Sequence, residues 1–135
     1  MTEQRIYIPR YRWSVIVFYE STRHNADEIL QALERTGADD DTLLRAERNL
    51  VGGMPDTGLT FSNMKEGISV IVLSHTTSKA EFANTWFHEV LHCAVHIAKA
   101  NGLPCEGEPI AYVGGELARS MQPYAARLMC PTCKH

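Results

Sequence analysis

The chain contains one short motif whose residue types suit metal-dependent chemistry, the pentapeptide HEVLH at positions 88–92. On an α-helix, side chains four residues apart lie on the same face, so His88 and His92 can bind one metal ion together. Glu89 lies one position further round the helix, where its carboxylate can accept a proton from an attacking water molecule without ligating the metal. The motif therefore predicts a zinc site of the hydrolytic type, with two imidazole ligands and a glutamate general base.

A long helix is predicted around this motif. Ser78 and Glu81 have the spacing of a capping box, in which a hydroxyl and a carboxylate three residues later bind free backbone amides at the helix start. Neither proline nor glycine occurs within residues 79–101, and Gly102 directly afterwards is a typical helix end. We therefore expect one continuous helix of about six turns over this range.

A turn of about 100° per residue divides this helix into two faces. The apolar face is predicted to hold Phe82, Ala83, Trp86, Phe87, Val90, Leu91, Cys93, Ala94 and Ile97. The polar face is predicted to hold Glu81, Thr85, His88, Glu89, His92, His96 and Lys99. This distribution predicts a helix that is largely buried, with a single polar stripe that carries the motif.

Two histidines do not complete a catalytic zinc site, which needs a third protein ligand and keeps its fourth position for water. His96 continues the four-residue spacing, but at 1.5 Å per residue it lies about 12 Å from His88 along the helix axis. Zn–N bonds are only about 2 Å long, so a straight helix cannot bring both of these imidazoles to one ion. We therefore expect the third ligand on the element that follows the helix.

Three carboxylates follow the turn after the helix, on Glu106, Glu108 and Glu116. We place Glu108 first, because it directly precedes Pro109, a residue favoured in the first turn of a helix. Glu116 and Glu106 stay open as alternatives.

A hydrolytic site also needs a donor for the charge that develops on the substrate oxygen. Tyr112 is our first candidate, since it lies one helical turn after Glu108. His96 and Arg119 are the alternatives, and Tyr112 is equally suited to packing or to holding a metal ligand in place.

Composition limits the class of protein and of partner. The 135 residues suffice for one domain with its own core, and 44% hydrophobic with 21% charged residues are typical of a globular protein. A net charge of -3 gives no indication of a nucleic-acid partner, and no stretch approaches the ~20 apolar residues of a membrane span. The first residues lack the apolar run of a signal peptide, and four cysteines in that context favour a reducing compartment. We therefore expect a cytoplasmic protein.

The remaining pattern predicts an α+β fold in a single domain over residues 1–135. Strands are predicted at 11–19, 59–62 and 68–74, the last two as a hairpin whose exposed edge suits an extended peptide. Helices are predicted at 26–36 with Asn25 as cap, from a cap within the acidic triplet 39–41 to residue 50, and from Pro109 to about residue 121. We expect a small sheet of three or so strands packed on these helices, with a short last helix that carries Glu108.

Residues 122–135 are predicted to form a tail that is either flexible or metal-binding. Cys130 and Cys133 have the C-x-x-C spacing of half a structural zinc site, which makes them candidates for a second metal. A closed site requires four ligands, of which His135 would be the third and Cys105 is a candidate for the fourth.

The motif, the turn and the glutamate-bearing helix together resemble the zincin metallopeptidases of the gluzincin type. The resemblance covers about residues 58–117, and the run from Gly58 to His92 is similar to small zincin-like proteins of bacteriophages and their hosts. It implies a zincin-like fold in which His88, His92 and Glu108 bind zinc and Glu89 is the base. Gluzincins often carry an aspartate four residues after the ligand glutamate, where this chain has Tyr112.

The predicted function is a zinc-dependent hydrolase, namely a peptidase of narrow specificity with a peptide or protein as substrate. So small a chain has few residues with which to build deep specificity pockets, which favours a single target. The alternative is a non-catalytic zincin-fold protein that binds metal or serves phage assembly as an accessory factor. Glu89 favours the enzyme, because a purely structural metal site does not need this carboxylate.

Overall fold

A four-stranded mixed sheet separates two pairs of helices in the structure, a computed structural model that describes residues 1–129. The strands are β1 (Thr2–Ile8), β2 (Trp13–Ser21), β3 (Gly58–Asn63) and β4 (Ile68–Ser74). The helices are α1 (Ala26–Arg35), α2 (Asp40–Gly52), α3 (Lys79–Ala100) and α4 (Gly107–Met129). The predicted α+β class is confirmed.

The order of the strands across the sheet is β1-β2-β4-β3. The two inner strands, β2 and β4, run parallel, and each outer strand is antiparallel to its neighbour. A parallel pair needs a long connection between its strands, and the chain between β2 and β4 contains α1, α2 and β3. Strand β3 follows β4 in this order and pairs with no other strand of the described residues, so it is an edge of the sheet. A short hairpin loop joins it to β4.

The two faces of the sheet are covered by different helices. Because side chains alternate along a strand, Val70 and Val72 of β4 pack with α1 and α2, whereas Ile71 and Leu73 pack with α3 and α4. A strand that is buried on both faces needs apolar residues at successive positions, which explains the run ISVIVLS.

The predicted sheet was one strand too small, because β1 was not predicted. Within Thr2–Ile8 only Ile6 and Ile8 are buried, and the other residues lie on or near the surface of an edge strand. Two buried positions are too few to produce a recognisable alternation of apolar and polar residues. The strand pairs with β2 over its whole length.

The predicted end of the last helix at about residue 121 was also wrong. Helix α4 continues to Met129 and contains Pro123, although a proline inside a helix costs about 3 kcal/mol. Packing offsets this cost: Ala125 is fully buried, and Tyr124 stacks on Tyr19 of β2 with ring centroids 5.4 Å apart. Residues 122–129 therefore belong to the helix, and Cys130 and Cys133 lie outside the described residues.

The predicted caps of α3 at Ser78 and of α2 within residues 39–41 were confirmed, whereas the predicted cap of α1 at Asn25 was wrong. The second bond of the predicted capping box, from the Glu81 side chain back to the Ser78 amide, is not among the hydrogen bonds of residues 1–129. The Ser78 hydroxyl accepts a hydrogen bond from the backbone amide of Glu81 at 3.1 Å, which starts α3 at Lys79. Asp39 caps α2 in the same way. Asn25 does not cap α1, because its side-chain oxygen accepts from the backbone amide of Thr22 at 2.9 Å. None of the helices within residues 1–129 is long and apolar enough to cross a membrane.

Candidate metal and hydrolytic site

The two histidines of the motif converge on the exposed side of α3. Their Nε2 atoms lie 3.1 Å apart, and the ring centroids are separated by 4.7 Å. Two nitrogen ligands of a tetrahedral zinc ion, with bonds of about 2.0–2.1 Å, are about 3.3 Å apart. The pair formed by His88 and His92 therefore has nearly the geometry that two ligands of one zinc ion require.

Glu89 lies between α3 and the edge strand β3, with only 5% of its surface exposed. Its Oε1 atom accepts a hydrogen bond from the Thr60 hydroxyl at 2.8 Å, and the same hydroxyl lies 3.3 Å from the backbone oxygen of Glu89. No hydrogen bond from residues 1–129 reaches Oε2, and this atom is not enclosed. Thr60 therefore holds one carboxylate oxygen and leaves the other available.

Gly58 makes room for this carboxylate. A Cβ atom added at Gly58 would lie 2.7 Å from both Cγ and Oε2 of Glu89, closer than real side chains approach. An open pocket of about 200 Å³ adjoins the two residues. Its lining consists of Asp56, Thr57, Gly58, Asn84, Thr85, His88 and Glu89. The candidate base and one candidate metal ligand thus face the same space.

Hydrogen bonds of Asp56, two residues before β3, join the start of this strand to α3 and to the residues just before it. The two carboxylate oxygens of Asp56 accept from the backbone amide and the hydroxyl of Thr77, each at 2.7 Å. Thr85 of α3 donates to the backbone oxygen of Asp56 at 3.3 Å. Asp56 adopts a left-handed conformation with φ of 62°, which aspartate tolerates better than most residues. These bonds hold the residues just before β3 against α3, two residues from Gly58.

His96 lies on the side of α3 that faces β3, as Glu89 does. It is held there by Ser62, two residues after Thr60. Because every second residue of a strand faces the same side, Gly58, Thr60 and Ser62 all point towards α3. The Ser62 hydroxyl lies 2.7 Å from Nδ1 of His96. Partial burial lowers the pKa of His96 below its ordinary value, and the charges of His92 and Lys99 lower it further.

The structure does not bring Glu108 to the histidine pair. Glu108 is exposed in the first turn of α4, and no group of three or more histidine, cysteine, aspartate or glutamate residues within residues 1–129 is arranged to hold a metal. Glu106 is likewise exposed. Among the described residues, only the two imidazoles of His88 and His92 are placed together as metal ligands. Glu108 as the third ligand therefore stays a prediction.

Tyr112 lies in a separate open pocket of about 470 Å³ with Arg10, Gly115, Glu116 and Arg119. Neither histidine of the motif lines this pocket. The reason is the rotation of α4: Gly114 faces α3, where an added Cβ would be 3.9 Å from that of Ala94, and Tyr112 projects elsewhere with 64% of its surface exposed. A catalytic role for Tyr112 stays a prediction that this placement does not support.

The predicted faces of α3 were partly wrong. Phe87 is 70% exposed and Leu91 is also exposed, whereas Thr85 and Glu89 of the predicted polar stripe are buried. The edge strand β3 covers part of that stripe, and its hydroxyl groups bind Glu89 and His96 there. Sequence reasoning missed Gly58, Thr60 and Ser62, although small or hydroxyl residues at every second position of GLTFS were a signal of this polar strand face.

Comparisons of the chain with protein-family models, with curated proteins and with solved structures found no match. The resemblance to gluzincins therefore depends only on the residues of the chain itself.

Proposed function

We propose that the protein is a zinc-dependent hydrolase that cleaves a peptide or protein target in the cytoplasm, with His88 and His92 as metal ligands and Glu89 as general base. The observation that carries this proposal is the convergence of two Nε2 atoms, 3.1 Å apart, beside a buried carboxylate that faces an open pocket. A zincin-like arrangement, with α3 as the metal helix beneath the sheet, is part of the proposal. Glu108 stays the first candidate for the third ligand.

The chemistry divides between the metal and the chain. Zinc, when bound, supplies a Lewis acid that lowers the pKa of water and polarises a substrate carbonyl. Oε2 of Glu89 accepts the proton of the attacking water and passes it to the leaving amine. The Thr60 hydroxyl fixes the carboxylate through Oε1, so that the catalytic oxygen keeps one orientation. Gly58 keeps the approach to that oxygen open.

The position of β3 favours an extended peptide as substrate. This strand is an edge of the sheet, so its outer backbone groups have no partner strand within the described part of the chain. An extended peptide can add to such an edge through main-chain hydrogen bonds. A peptide bound there would run past Thr60 and Glu89, which brings its backbone to the candidate base.

A second candidate function is metal binding without turnover, as in an assembly or accessory protein. It is favoured by the finding that the described residues place no third side chain beside the histidine pair. The buried and oriented carboxylate of Glu89 favours the enzyme instead, because burying a carboxylate costs free energy that a binding function would not require.

Metal binding is tested by measuring the zinc content and zinc affinity of the purified protein and of single-residue variants. We expect one zinc ion per chain and at least about a tenfold loss of affinity in His88→Ala and in His92→Ala, because each removes one ligand. His24→Ala, in the Arg23–Asn25 turn, is the matched control that should keep its affinity. Glu108→Ala, Glu116→Ala and Glu106→Ala then identify the third ligand. Unchanged affinity in both histidine variants would contradict the proposed site.

Turnover is tested with a peptide library and the variant Glu89→Gln. We expect hydrolysis by the zinc-loaded protein to fall by about 10²–10⁴-fold in Glu89→Gln, with zinc affinity retained, because the amide cannot accept the proton. Zinc binding without any hydrolysis would favour the second candidate function. Equal rates in the two proteins would remove Glu89 from the mechanism.

A further inference from the structure

A chain of hydrogen bonds leads from the core of the protein to His96. The Trp13 indole donates to the Ser69 hydroxyl at 2.8 Å, the hydroxyls of Ser69 and Ser62 are 2.7 Å apart, and Ser62 lies 2.7 Å from Nδ1 of His96. Trp13 and Ser69 are buried, and His96 is half-buried. Three side chains, from β2, β4 and β3, thus hold the imidazole of α3 in a fixed orientation.

The direction of this chain assigns the proton of the neutral imidazole. An indole N–H can only donate, so Ser69 accepts from Trp13 and its own proton is directed elsewhere. We assign the Ser69 proton to Ser62, because a hydroxyl oxygen is a better acceptor than the sulfur of the neighbouring Cys93. Ser62 then donates to Nδ1 of His96, which places the imidazole proton on Nε2. No hydrogen bond from the described residues reaches that nitrogen, and it is not enclosed.

Lys99 gives the same place a positive charge. It lies three residues after His96, on the neighbouring part of the helix surface, and its side chain is exposed. No carboxylate lies within ion-pair distance of Lys99 among residues 1–129. An imidazole N–H and an unpaired ammonium group at neighbouring positions of one helix surface are suited to an acidic side chain, which accepts from both.

The spacing along β3 sets which substrate side chain would reach this place. Thr60 binds Glu89, and Ser62, two residues further, binds His96. Two residues of an extended strand span about 6.8 Å, and a peptide added to the edge has the same spacing. A substrate side chain at the level of Ser62 therefore belongs to a residue two positions from the residue at the level of Thr60, and both point to the same face.

We propose that His96 and Lys99 form a specificity subsite, which selects an aspartate or glutamate at the second or third residue from the scissile bond, on one side of it, in a peptide bound along β3. This inference rests on the proposed function, because it places the scissile bond at Glu89. The carboxylate of the substrate accepts from Nε2 of His96 and pairs with Lys99. Ser62 is a positioning residue that acts through His96.

The experiment compares matched peptides that carry Glu, Gln or Lys at the second or at the third position on either side of the bond that the library identifies as cleaved. We expect the zinc-loaded protein to prefer Glu over Lys by about tenfold in kcat/KM, on one side only, as one charge-assisted hydrogen bond would provide. Binding of the same peptides to zinc-loaded Glu89→Gln measures the preference without turnover. If no peptide is cleaved, the deciding measurement is whether the zinc-loaded protein binds library peptides that contain Glu more tightly than the same peptides with Lys in place of Glu. Equal binding of the Glu and Lys peptides, or a preference on both sides, would overturn the subsite.

Single-residue variants separate the contribution of the His96 imidazole from that of the Lys99 ammonium group. We expect His96→Ala and Lys99→Ala each to reduce the preference by several-fold, and Lys99→Glu to favour the Lys peptide, which a merely structural lysine would not do. Ser62→Ala should weaken the preference, and Ser62→Thr should retain it because the hydroxyl is kept. Lys79→Ala, at the other end of α3, is the matched control and should behave as the parent protein.

The failure of this proposal can be told apart from the failure of the proposed function. If Glu89→Gln abolishes turnover while Glu and Lys peptides are cleaved equally, the hydrolase stands and the subsite is wrong. If the acidic preference is present but Glu89→Gln turns over as fast as the parent protein, the subsite stands and the catalytic assignment is wrong.

Discussion

Glu89 illustrates how one side chain is both buried and kept available. Its carboxylate is covered by β3, yet a single hydroxyl satisfies Oε1 and a missing side chain at Gly58 leaves Oε2 open to the pocket. A buried carboxylate without a donor would be costly, so the Thr60 hydroxyl contributes to stability as well as to orientation.

Replacement of Thr60 by valine tests this contribution. Valine keeps the shape and the strand preference but removes the donor, and we expect the free energy of unfolding to fall by about 1–3 kcal/mol. Thr60→Ser keeps the hydroxyl and should lose distinctly less. The measurement is equilibrium unfolding in urea at pH 7 without metal. Equal stability of Thr60→Val and the parent protein would mean that water replaces the hydroxyl without cost.

The residues of the motif could be predicted from the sequence, whereas their partners could not. His88, Glu89 and His92 share one helix, where spacing alone determines which side chains lie together. Thr60 lies 29 residues before Glu89 in the chain, and only the docking of β3 against α3 brings the two together. Pairing between distant segments leaves no periodic trace in a sequence.

At the scale of elements, the close contact between β3 and α3 depends on a glycine. Gly58→Ala would place a methyl group 2.7 Å from Cγ and Oε2 of Glu89, so the carboxylate must move. We expect hydrolysis to fall by at least about tenfold, as removal of a well-placed general base does, while zinc affinity stays within about twofold. Zinc titration and library hydrolysis measure the two effects.

Gly115→Ala is the matched control for that substitution. Gly115 lies inside α4, and nothing is within 4 Å of the Cβ that alanine would add. Alanine is favoured over glycine in a helix by about 1 kcal/mol, so we expect this variant to be more stable than the parent and equally active. Loss of hydrolysis in Gly115→Ala would show that replacing a glycine lowers activity without displacing the Glu89 carboxylate.

Element ends were predictable where a local signal determines them. The caps at Ser78 and Asp39 fix the starts of α3 and α2, and both are formed by residues next to the helix. Helix α4 passes through Pro123 because the following residues pack on the sheet, which a local rule for proline does not include.

At the scale of the whole molecule, the sheet divides the interior into two hydrophobic cores. One core lies between the sheet and α3 and α4, and it contains Ile97. The other lies between the sheet and α1 and α2, and it contains Ile29. Both residues are fully buried. The candidate site belongs to the first core only, since α1 and α2 cover the opposite face.

The separation of the cores predicts additive effects of mutation. We expect Ile29→Val and Ile97→Val each to lower the free energy of unfolding by about 0.5–1.5 kcal/mol, and the double variant to equal their sum within about 0.5 kcal/mol. Urea unfolding of the four proteins completes the cycle. A coupling above about 1 kcal/mol would show that the sheet transmits strain between its faces.

The α+β class followed from the mixture of strand and helix patterns, but the order of the strands did not. The hairpin of β3 and β4 was predictable from a short glycine-containing loop, whereas the parallel pairing of β2 with β4 depends on how α1 and α2 cross over. Only this pairing makes β3 an edge, and only an edge can offer backbone groups to a peptide.

The buried Trp13 has a further consequence through its hydrogen bond to Ser69. Indole emission responds to the hydrogen bond of its N–H, and here that bond is the inner end of a chain that finishes at His96. We therefore expect a ligand bound to that histidine to alter the hydrogen bonds along the chain and to change the fluorescence of Trp13. In a Trp86→Phe background Trp13 is the sole tryptophan, so its fluorescence would report on ligand binding at His96 of α3.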